Sequence, residues 1–210
     1  MNLEETHSLA LPYPTKNDIT GLILAGGQGT RFNDQDKGLI PYKNSTLVEN
    51  AISKLAPQVK TIFLSANRNL NFYNSLNSTC IEDNYSDYLG PLAGIHSALQ
   101  TMQTPWLASI ACDTPCFPSD YVKRLSLSLK DKKSLLAVVQ TGSQLQNVFM
   151  LAHKDLFESL DTFLSKGERK AQIWIEQNNP TIVQFERQEA FYNINTPEDL
   201  ENIEALQCDE

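Results

Sequence analysis

The feature that most constrains this chain is a glycine-rich loop that directly follows an apolar segment. The apolar run from Ile19 to Leu24 predicts a buried strand. The glycines that follow it within six residues are Gly26, Gly27 and Gly29. Closely spaced glycines allow positive φ and let the backbone approach a ligand, so that amide groups can point at phosphate oxygens. Arg31 and Lys37 add two cations behind the loop, and together these features predict a nucleoside-triphosphate site.

The loop fits neither of two common phosphate-binding patterns. A P-loop ends in Gly-Lys-Ser/Thr, which does not follow Gly29, and a dinucleotide-binding loop has a third glycine where this chain has Phe32. The alternative is a turn in which the glycines serve backbone geometry alone. The presence of Arg31, Asp36 and Lys37 favours the phosphate site over that alternative.

Composition excludes several functional classes. The 210 residues carry a net charge of -8, which argues against broad binding to nucleic acid or to an anionic membrane but leaves room for one local basic pocket. No apolar run approaches the ~18 residues of a membrane span, and residues 1–17 lack the features of a secretory signal. We expect a cytoplasmic monomer with one domain over residues 19–206, preceded by a loose extension over residues 1–18.

The four cysteines do not form a metal-binding pattern. Cys112 and Cys116 lack a second pair at zinc-ribbon spacing. For a cytoplasmic protein we expect free thiols.

Apolar strands alternate with amphipathic helices along the chain. Strands are predicted at 19–24, 61–64, 80–81, 106–111, 135–139, 148–151 and 182–185, and helices at 47–55, from Gly90, from an N-cap at Ser119, and at 156–164, 171–177 and 196 onward. This alternation predicts an α/β fold, with a three-layer, doubly wound and mostly parallel sheet of the Rossmann-like type.

Polar residues follow several of the predicted strands, where doubly wound sheets bind ligands. They are Ser65, Asp83, Asp113 and Asn193, together with Gly26. Asp113 is suited to Mg²⁺, which takes one or two carboxylates together with phosphate oxygens and water. The alternative for Asp113 is that it caps the turn formed by the following Thr-Pro. The alternative for Asp83 is that it is a solvent-exposed acid in a loop.

Three further groups have both functional and structural interpretations. Alternation puts the side chains of Asn193 and Asn195 on one face of an extended segment, which makes them candidate second ligands for a metal or phosphate; the alternative is that they cap the last helix. The turn over residues 167–170 is either a site for an anionic substrate or a solvated surface. The sequence shows no convincing catalytic triad around any of the three histidines, which are His7, His96 and His153. We expect them to be structural or exposed.

The segments from Leu24 to Arg31 and from Asp36 to Leu39 resemble the signature of MobA-like nucleotidyltransferases. Four more segments are similar to the molybdenum cofactor guanylyltransferase branch of that family: Gly90 to Ile95, Cys112 to Pro115, Gly167 to Arg169, and Asn193 to Leu200. The resemblance extends from about Ile19 to Ala205. It departs from the family at Ser65, where asparagine is common, at Asn33, where glycine is usual, and at Gln144 to Asn147, which lacks a His-Pro pair.

The resemblance implies a reaction and its partners. GMP would pass from GTP to molybdenum-molybdopterin, forming a guanine dinucleotide and releasing pyrophosphate, with Mg²⁺ as cofactor. The resemblance also implies that the protein transiently contacts molybdenum-insertion proteins and molybdoenzyme acceptor proteins. The alternatives are a cytidylyltransferase or another small-phosphate nucleotidyltransferase of the same fold, or a non-catalytic nucleotide-binding module.

The resemblance also implies residue roles. Lys37 and Asp113 would be catalytic, and Asp113 would bind the metal, with Asn193 and Asn195 as further candidates. Asp83 would lie near the ribose. The residues implied to bind GTP are Leu24, Ala25, Gly26, Gly27, Arg31, Lys37, Ser65, Asp83 and Asp113.

Overall fold

A computed structural model describes residues 13–25, 36–84, 90–130, 132–205 and 208. The described strands are β1 (Ile19–Leu24), β2 (Pro41–Tyr42), β3 (Ser45–Thr46), β4 (Thr61–Ser65), β5 (Thr79–Ile81), β6 (Trp106–Ala111), β7 (Leu136–Thr141), β8 (Gln144–His153) and β9 (Thr181–Phe185). Within this part of the chain, seven strands form one sheet in the order β5-β4-β1-β6-β8-β7-β9, and β2 pairs with β3 as a separate hairpin.

Most neighbours in the large sheet are parallel. The pairs β1–β4, β1–β6, β4–β5 and β7–β9 run parallel, whereas β8 lies antiparallel to both β6 and β7. The chain moves outward from β1 to β4 and β5, and then returns to place β6 on the other side of β1. This reversal beside β1 is the topological switch point at which doubly wound sheets bind ligands.

Helices cover both faces of the sheet. They are α1 (Leu47–Leu55), α2 (Leu70–Ser75), α3 (Pro91–Thr101), α4 (Tyr121–Ser128), α5 (Phe157–Ser165), α6 (Ala171–Gln177) and α7 (Pro197–Ala205). One core contains apolar residues of α1 and α4, and a second contains those of α3, α5 and α6. Because side chains alternate along a strand, Ile23 enters the first core and Leu22 the second. The predicted three-layer α/β fold is confirmed.

The local signals explain where several elements begin and end. Thr46 and Glu49 form a reciprocal capping box at the start of α1. A short 3₁₀ turn that contains Pro57 follows the end of α1, because proline cannot donate the next helical hydrogen bond. The predicted spans of β1, β6 and α6 agree with the structure residue for residue.

Close packing near the switch point depends on Gly94 in α3. An added Cβ at Gly94 would lie 2.6 Å from the side chains of both Leu24 and Ser65. The absence of a side chain therefore lets α3 lie against the carboxyl ends of β1 and β4.

Several details of the predicted elements differ from the structure. The helix predicted to begin with an N-cap at Ser119 instead begins at Tyr121, after Asp120, whose side chain makes no capping hydrogen bond. Helix α2 and the β2–β3 hairpin were not predicted from the sequence. Both are too short to show a clear hydrophobic period.

The expectation of free cysteines was wrong for one pair. Cys116 and Cys208, which are 92 positions apart in sequence, form a disulfide with their Cα atoms 5.0 Å apart, whereas Cys80 and Cys112 are free. Cys208, which follows α7 in sequence, lies beside Cys116 in the loop after β6, and this tertiary proximity leaves no signal in cysteine spacing. No helix in the described ranges has the length and apolar character needed to span a membrane.

Candidate functional site

The carboxyl ends of four adjacent strands meet at one edge of the sheet. Leu24, the last residue of β1, pairs with Ser65 in β4 and with Ala111 in β6, and Ser65 pairs with Ile81 in β5. The segments that follow these strands therefore begin at the same level, at the edge where the sequence predicts Ser65, Asp83 and Asp113 to lie.

Lys37 lies at the centre of a charged group at this edge. Its Nζ donates to Asp113 Oδ2 at 2.7 Å and to Asn195 Oδ1 at 2.8 Å. The side chains of Lys37 and Asp113 are 18% and 12% exposed. We call Lys37, Asp113 and Asn195 the lysine cluster. Because water still reaches both charges, an incoming phosphate can compete with Asp113 for the ammonium group.

The segment before α7 is fixed directly to the Asp113 loop. The backbone N–H of Ile194 donates to the carbonyl oxygen of Asp113 at 2.8 Å. Thr114 Oγ1 donates to Asn193 Oδ1 at 2.6 Å. The two asparagines thus have different partners: Asn195 contacts Lys37, whereas Asn193 holds the loop that carries Asp113.

The capping box of α7 holds Asn195 in place. Asp199 Oδ2 accepts hydrogen bonds of 2.8 Å from the backbone N–H groups of both Asn195 and Thr196. The bond from Asn195 is the main reason why the pKa of Asp199 is lowered. The sequence predicts this cap, but nothing in it indicates that the Asn195 side chain reaches Lys37.

A second group of side chains surrounds Asp83. Ser65 Oγ donates to Asp83 Oδ1 at 3.2 Å, and Asn67 Nδ2 donates to Asp83 Oδ2 at 2.8 Å. The backbone N–H of Asp83 donates in return to Asn67 Oδ1 at 3.0 Å. We call Ser65, Asn67 and Asp83 the Asp83 cluster. Its reciprocal hydrogen bonds orient the Asp83 carboxylate before any ligand binds.

Asn67 was not predicted from the sequence to have a role. One signal could have identified it. Asn67 lies two positions after β4, and Asp83 lies two positions after β5, the neighbouring strand in the sheet. Ser65 is 2% exposed, and its short side chain fits beneath Gly94. Its hydrogen bond to Asp83 makes Ser65 part of the Asp83 cluster, although serine departs from the family pattern at this position.

The remaining predicted GTP-binding residues divide into two groups. Leu24 and Ala25 lie at the end of β1, and the N–H of Ala25 donates to the carbonyl oxygen of Ser65 at 2.9 Å. A nucleotide contact through the Ala25 backbone would therefore use its carbonyl oxygen. The other predicted residues, Gly26, Gly27 and Arg31, lie outside the described residues.

Cys112 lies beside the site but is not suited to nucleophilic chemistry. It is 4% exposed. Burial is the largest cause that raises the pKa of its thiol well above the ordinary value, and the charge of Asp113 adds to the effect. The neutral thiol is a poor nucleophile.

Two other sequence candidates have structural partners. Arg169 Nη1 donates to the carbonyl oxygens of Leu164 and Glu168 at 2.8 and 2.6 Å, so this arginine holds the turn after α5. His96 is 4% exposed, and its Nε2 lies 3.0 Å from Asp161 Oδ1.

A cation at this edge would need oxygen ligands from outside the protein. In the described part of the chain, no three His, Cys, Asp or Glu side chains are grouped to hold a metal ion. Asp113 offers one carboxylate, and Asn193 and Asn195 carry amide oxygens that here accept hydrogen bonds from Thr114 and Lys37. Such a set suits Mg²⁺, which usually retains water and binds substrate phosphates with one or two carboxylates.

Solved structures of other proteins share this fold. A solved structure titled molybdopterin-guanine dinucleotide biosynthesis protein A, from Archaeoglobus fulgidus, superposes with a TM-score of 0.74 at 20% identity, covering 89% of this chain and 97% of that one. A 4-diphosphocytidyl-2C-methyl-D-erythritol synthase from Anaerococcus prevotii superposes with a TM-score of 0.70 at 12% identity, covering 90% and 96%. At these identities the likeness establishes the shared fold.

Sequence comparison identifies the family. The family model described as MobA-like NTP transferase domain matches residues 21–182. A molybdenum cofactor guanylyltransferase from Shewanella amazonensis is 40% identical, covering 88% of this chain and 95% of the relative, and one from Bordetella pertussis is 39% identical, covering 90% and 98%. The chain therefore belongs to the MobA-like NTP transferase family.

Proposed function

We propose that this protein transfers GMP from GTP to molybdenum-molybdopterin, forming the guanine dinucleotide cofactor and releasing pyrophosphate. The observation that carries the proposal is the lysine cluster at the switch point of a nucleotidyltransferase fold. The curated relatives of similar length are named molybdenum cofactor guanylyltransferases, which favours a guanine nucleotide and a molybdopterin acceptor.

Lys37 is proposed to bind the phosphates of GTP. In the described structure its ammonium group is neutralised by Asp113 at 2.7 Å. When a triphosphate enters, Lys37 exchanges that partner for phosphate oxygens and offsets the negative charge that develops as pyrophosphate leaves. Nucleotidyl transfer depends mainly on such positioning and charge stabilisation.

Asp113 is proposed to hold a divalent metal once Lys37 has turned to the phosphates. Enzymes of this family generally use a divalent metal, and we assign Mg²⁺ from the oxygen-only donor set of Asp113, Asn193 and Asn195. The bound cation would polarise a phosphoryl oxygen. The carboxylate that pairs with Lys37 would thus be released for the metal by the same event that brings in the substrate.

Asp83 is proposed to bind the nucleoside near its ribose. Ser65 and Asn67 already hold the carboxylate in one orientation, with hydrogen bonds of 3.2 and 2.8 Å. An oriented carboxylate can accept hydrogen bonds from sugar hydroxyl groups. Leu24, Ala25, Gly26, Gly27 and Arg31 remain proposed GTP contacts on the basis of the family pattern.

The acceptor requires little activation. The terminal phosphate of molybdopterin is already an oxyanion at neutral pH, so no strong general base is needed to create the nucleophile. The protein has to align this phosphate with the α-phosphate of GTP and to neutralise charge around both.

Several associated properties belong to the same proposal. We propose that the protein acts as a cytoplasmic monomer and contacts molybdenum-insertion and molybdoenzyme acceptor proteins transiently. Size-exclusion chromatography with light scattering tests the monomer directly, and a mass of about twice the 23.6 kDa chain would contradict it.

The proposed reaction is tested by measuring pyrophosphate release with molybdenum-molybdopterin and each of GTP, ATP, CTP and UTP. We expect release with GTP that depends on both the pterin and Mg²⁺. Faster release with CTP would instead support the cytidylyltransferase alternative. Nucleotide binding without release under any of these conditions would support the non-catalytic module.

A further inference from the structure

Lys37 lies between two residues that are anchored to the interior. Asp36 precedes it with a side chain only 1% exposed, and Gly38 follows it in the short turn Lys37–Leu39. Asp36 Oδ1 accepts from the backbone N–H of Gly38 at 3.1 Å. The backbone on both sides of Lys37 is therefore tied to one buried carboxylate.

That carboxylate is held by residues around α2. Tyr73 Oη donates to Asp36 Oδ1 at 2.8 Å, and Asn69 Nδ2 donates to Asp36 Oδ2 at 2.8 Å. Arg68 Nε lies 3.8 Å from Asp36 Oδ2. A buried carboxylate is costly unless donors and opposite charges surround it, and the segment over residues 68–73 supplies both.

Tyr73 is suited to act as a permanent donor. Its side chain is fully buried, and burial, followed by the nearby Cys112 and Asp36, raises the pKa of its phenol above the ordinary value. The hydroxyl group therefore stays protonated. A Cβ at Gly38 would collide with this hydroxyl group, so the turn and Tyr73 fit closely together.

We propose that Tyr73 and Asn69 are positioning residues, which act through Asp36 to fix the Lys37 turn. This inference rests on the proposed function, in which Lys37 binds the phosphates of GTP. The hydrogen bonds form a continuous connection from α2 to Asp36 and, through Gly38, to the backbone that carries Lys37. A small displacement of a group that aligns reacting phosphates is enough to lower the rate strongly.

The primary test is Tyr73→Phe, which removes one hydroxyl group and keeps the ring. We expect kcat for pyrophosphate release to fall about tenfold. Tyr121→Phe is the matched control, because Tyr121 is also fully buried, and its hydroxyl group donates to the carbonyl oxygens of Ser109 and Met150 in the sheet. The control should lose thermal stability while keeping its kcat within about twofold.

A double-mutant cycle separates positioning from general destabilisation. If Tyr73 acts through Lys37, then Tyr73→Phe should change single-turnover rates less than about twofold in a Lys37→Ala background. An equal loss in both backgrounds would overturn the inference. Asn69→Gly provides a second variant that removes the donor while retaining the positive φ of 53° at this position, and we expect it to lower kcat about threefold.

A chemical readout distinguishes failure of this inference from failure of the proposed function. The rate at which an acylating reagent modifies Lys37, relative to exposed Lys123, is measured by peptide mass analysis. We expect a severalfold increase for Lys37 in Tyr73→Phe. Wild-type protein that releases no pyrophosphate from GTP would refute the function while that increase still supported the positioning. Unchanged kcat and unchanged Lys37 acylation in the variant would refute the positioning.

Discussion

The lysine cluster and the Asp83 cluster lie at the same edge of the sheet but are built differently. The lysine cluster joins side chains 76 and 158 residues apart through an ion pair and a hydrogen bond to a charged group. The Asp83 cluster joins residues within 18 positions of one another, and neutral donors satisfy its carboxylate. We infer that the first reorganises when substrate binds, whereas the second is already in its binding arrangement.

The largest effect is expected from Asp113→Ala. Loss of the proposed metal ligand should lower Mg²⁺-dependent pyrophosphate release by more than about 100-fold. Metal-free GTP affinity should be retained, since the substitution removes a negative charge near the phosphates. Turnover and titration calorimetry measure the two effects, and Asp120→Ala, an exposed site without a capping hydrogen bond, is the control. Near-normal turnover in Asp113→Ala would remove this residue from the mechanism.

Lys37→Ala should have the next largest effect. We expect turnover to fall by about 10- to 100-fold, because a cation that offsets transition-state charge is lost. Circular dichroism should remain native, since the side chain is partly exposed. Lys123→Ala on the exposed side of α4 is the control. Equal activity of the two variants would show that the lysine cluster does not bind phosphate.

Asp83→Ala tests the other half of the comparison. We expect KM for GTP to rise about tenfold with little change in kcat, which is the pattern for loss of uniform binding. Asn67→Ala should give the same pattern to a smaller extent, because it loosens Asp83 without removing it. A fall in kcat with constant KM would place Asp83 at the reacting phosphates and erase the distinction between the clusters.

The smallest effect concerns the cap that holds Asn195. The pKa of the Asp199 carboxyl is lower in the folded protein than in the unfolded chain. The carboxylate therefore stabilises the fold at pH values above its unfolded-state pKa of about 3.9, and this stabilisation is lost as the pH falls through its folded-state pKa. We expect Asp199→Asn to lower the free energy of unfolding by about 0.5–1 kcal/mol at pH 7. Urea unfolding should show this difference shrinking below about pH 4, and a constant difference would exclude the carboxylate as its source.

The sequence predicted the sheet edge better than the contacts across it. The apolar runs of β1 and β6 and the cap of α7 are local patterns, so their positions could be predicted closely. Other contacts depend on tertiary packing and have no local signal in the sequence. They are the contacts of Lys37 with Asp113 and Asn195, and the Cys116–Cys208 disulfide. Asn67 illustrates an intermediate case, because its partner Asp83 follows the neighbouring strand and only their register brings them together.

The most direct measurement of the proposed division between the clusters is a crystal structure of the protein with GTP and Mg²⁺. We predict that Lys37 leaves Asp113, its partner at 2.7 Å here, and contacts the triphosphate, while Asp83 lies at the ribose and keeps Ser65 and Asn67. A triphosphate bound away from both Lys37 and Asp113, with their ion pair intact, would contradict the account.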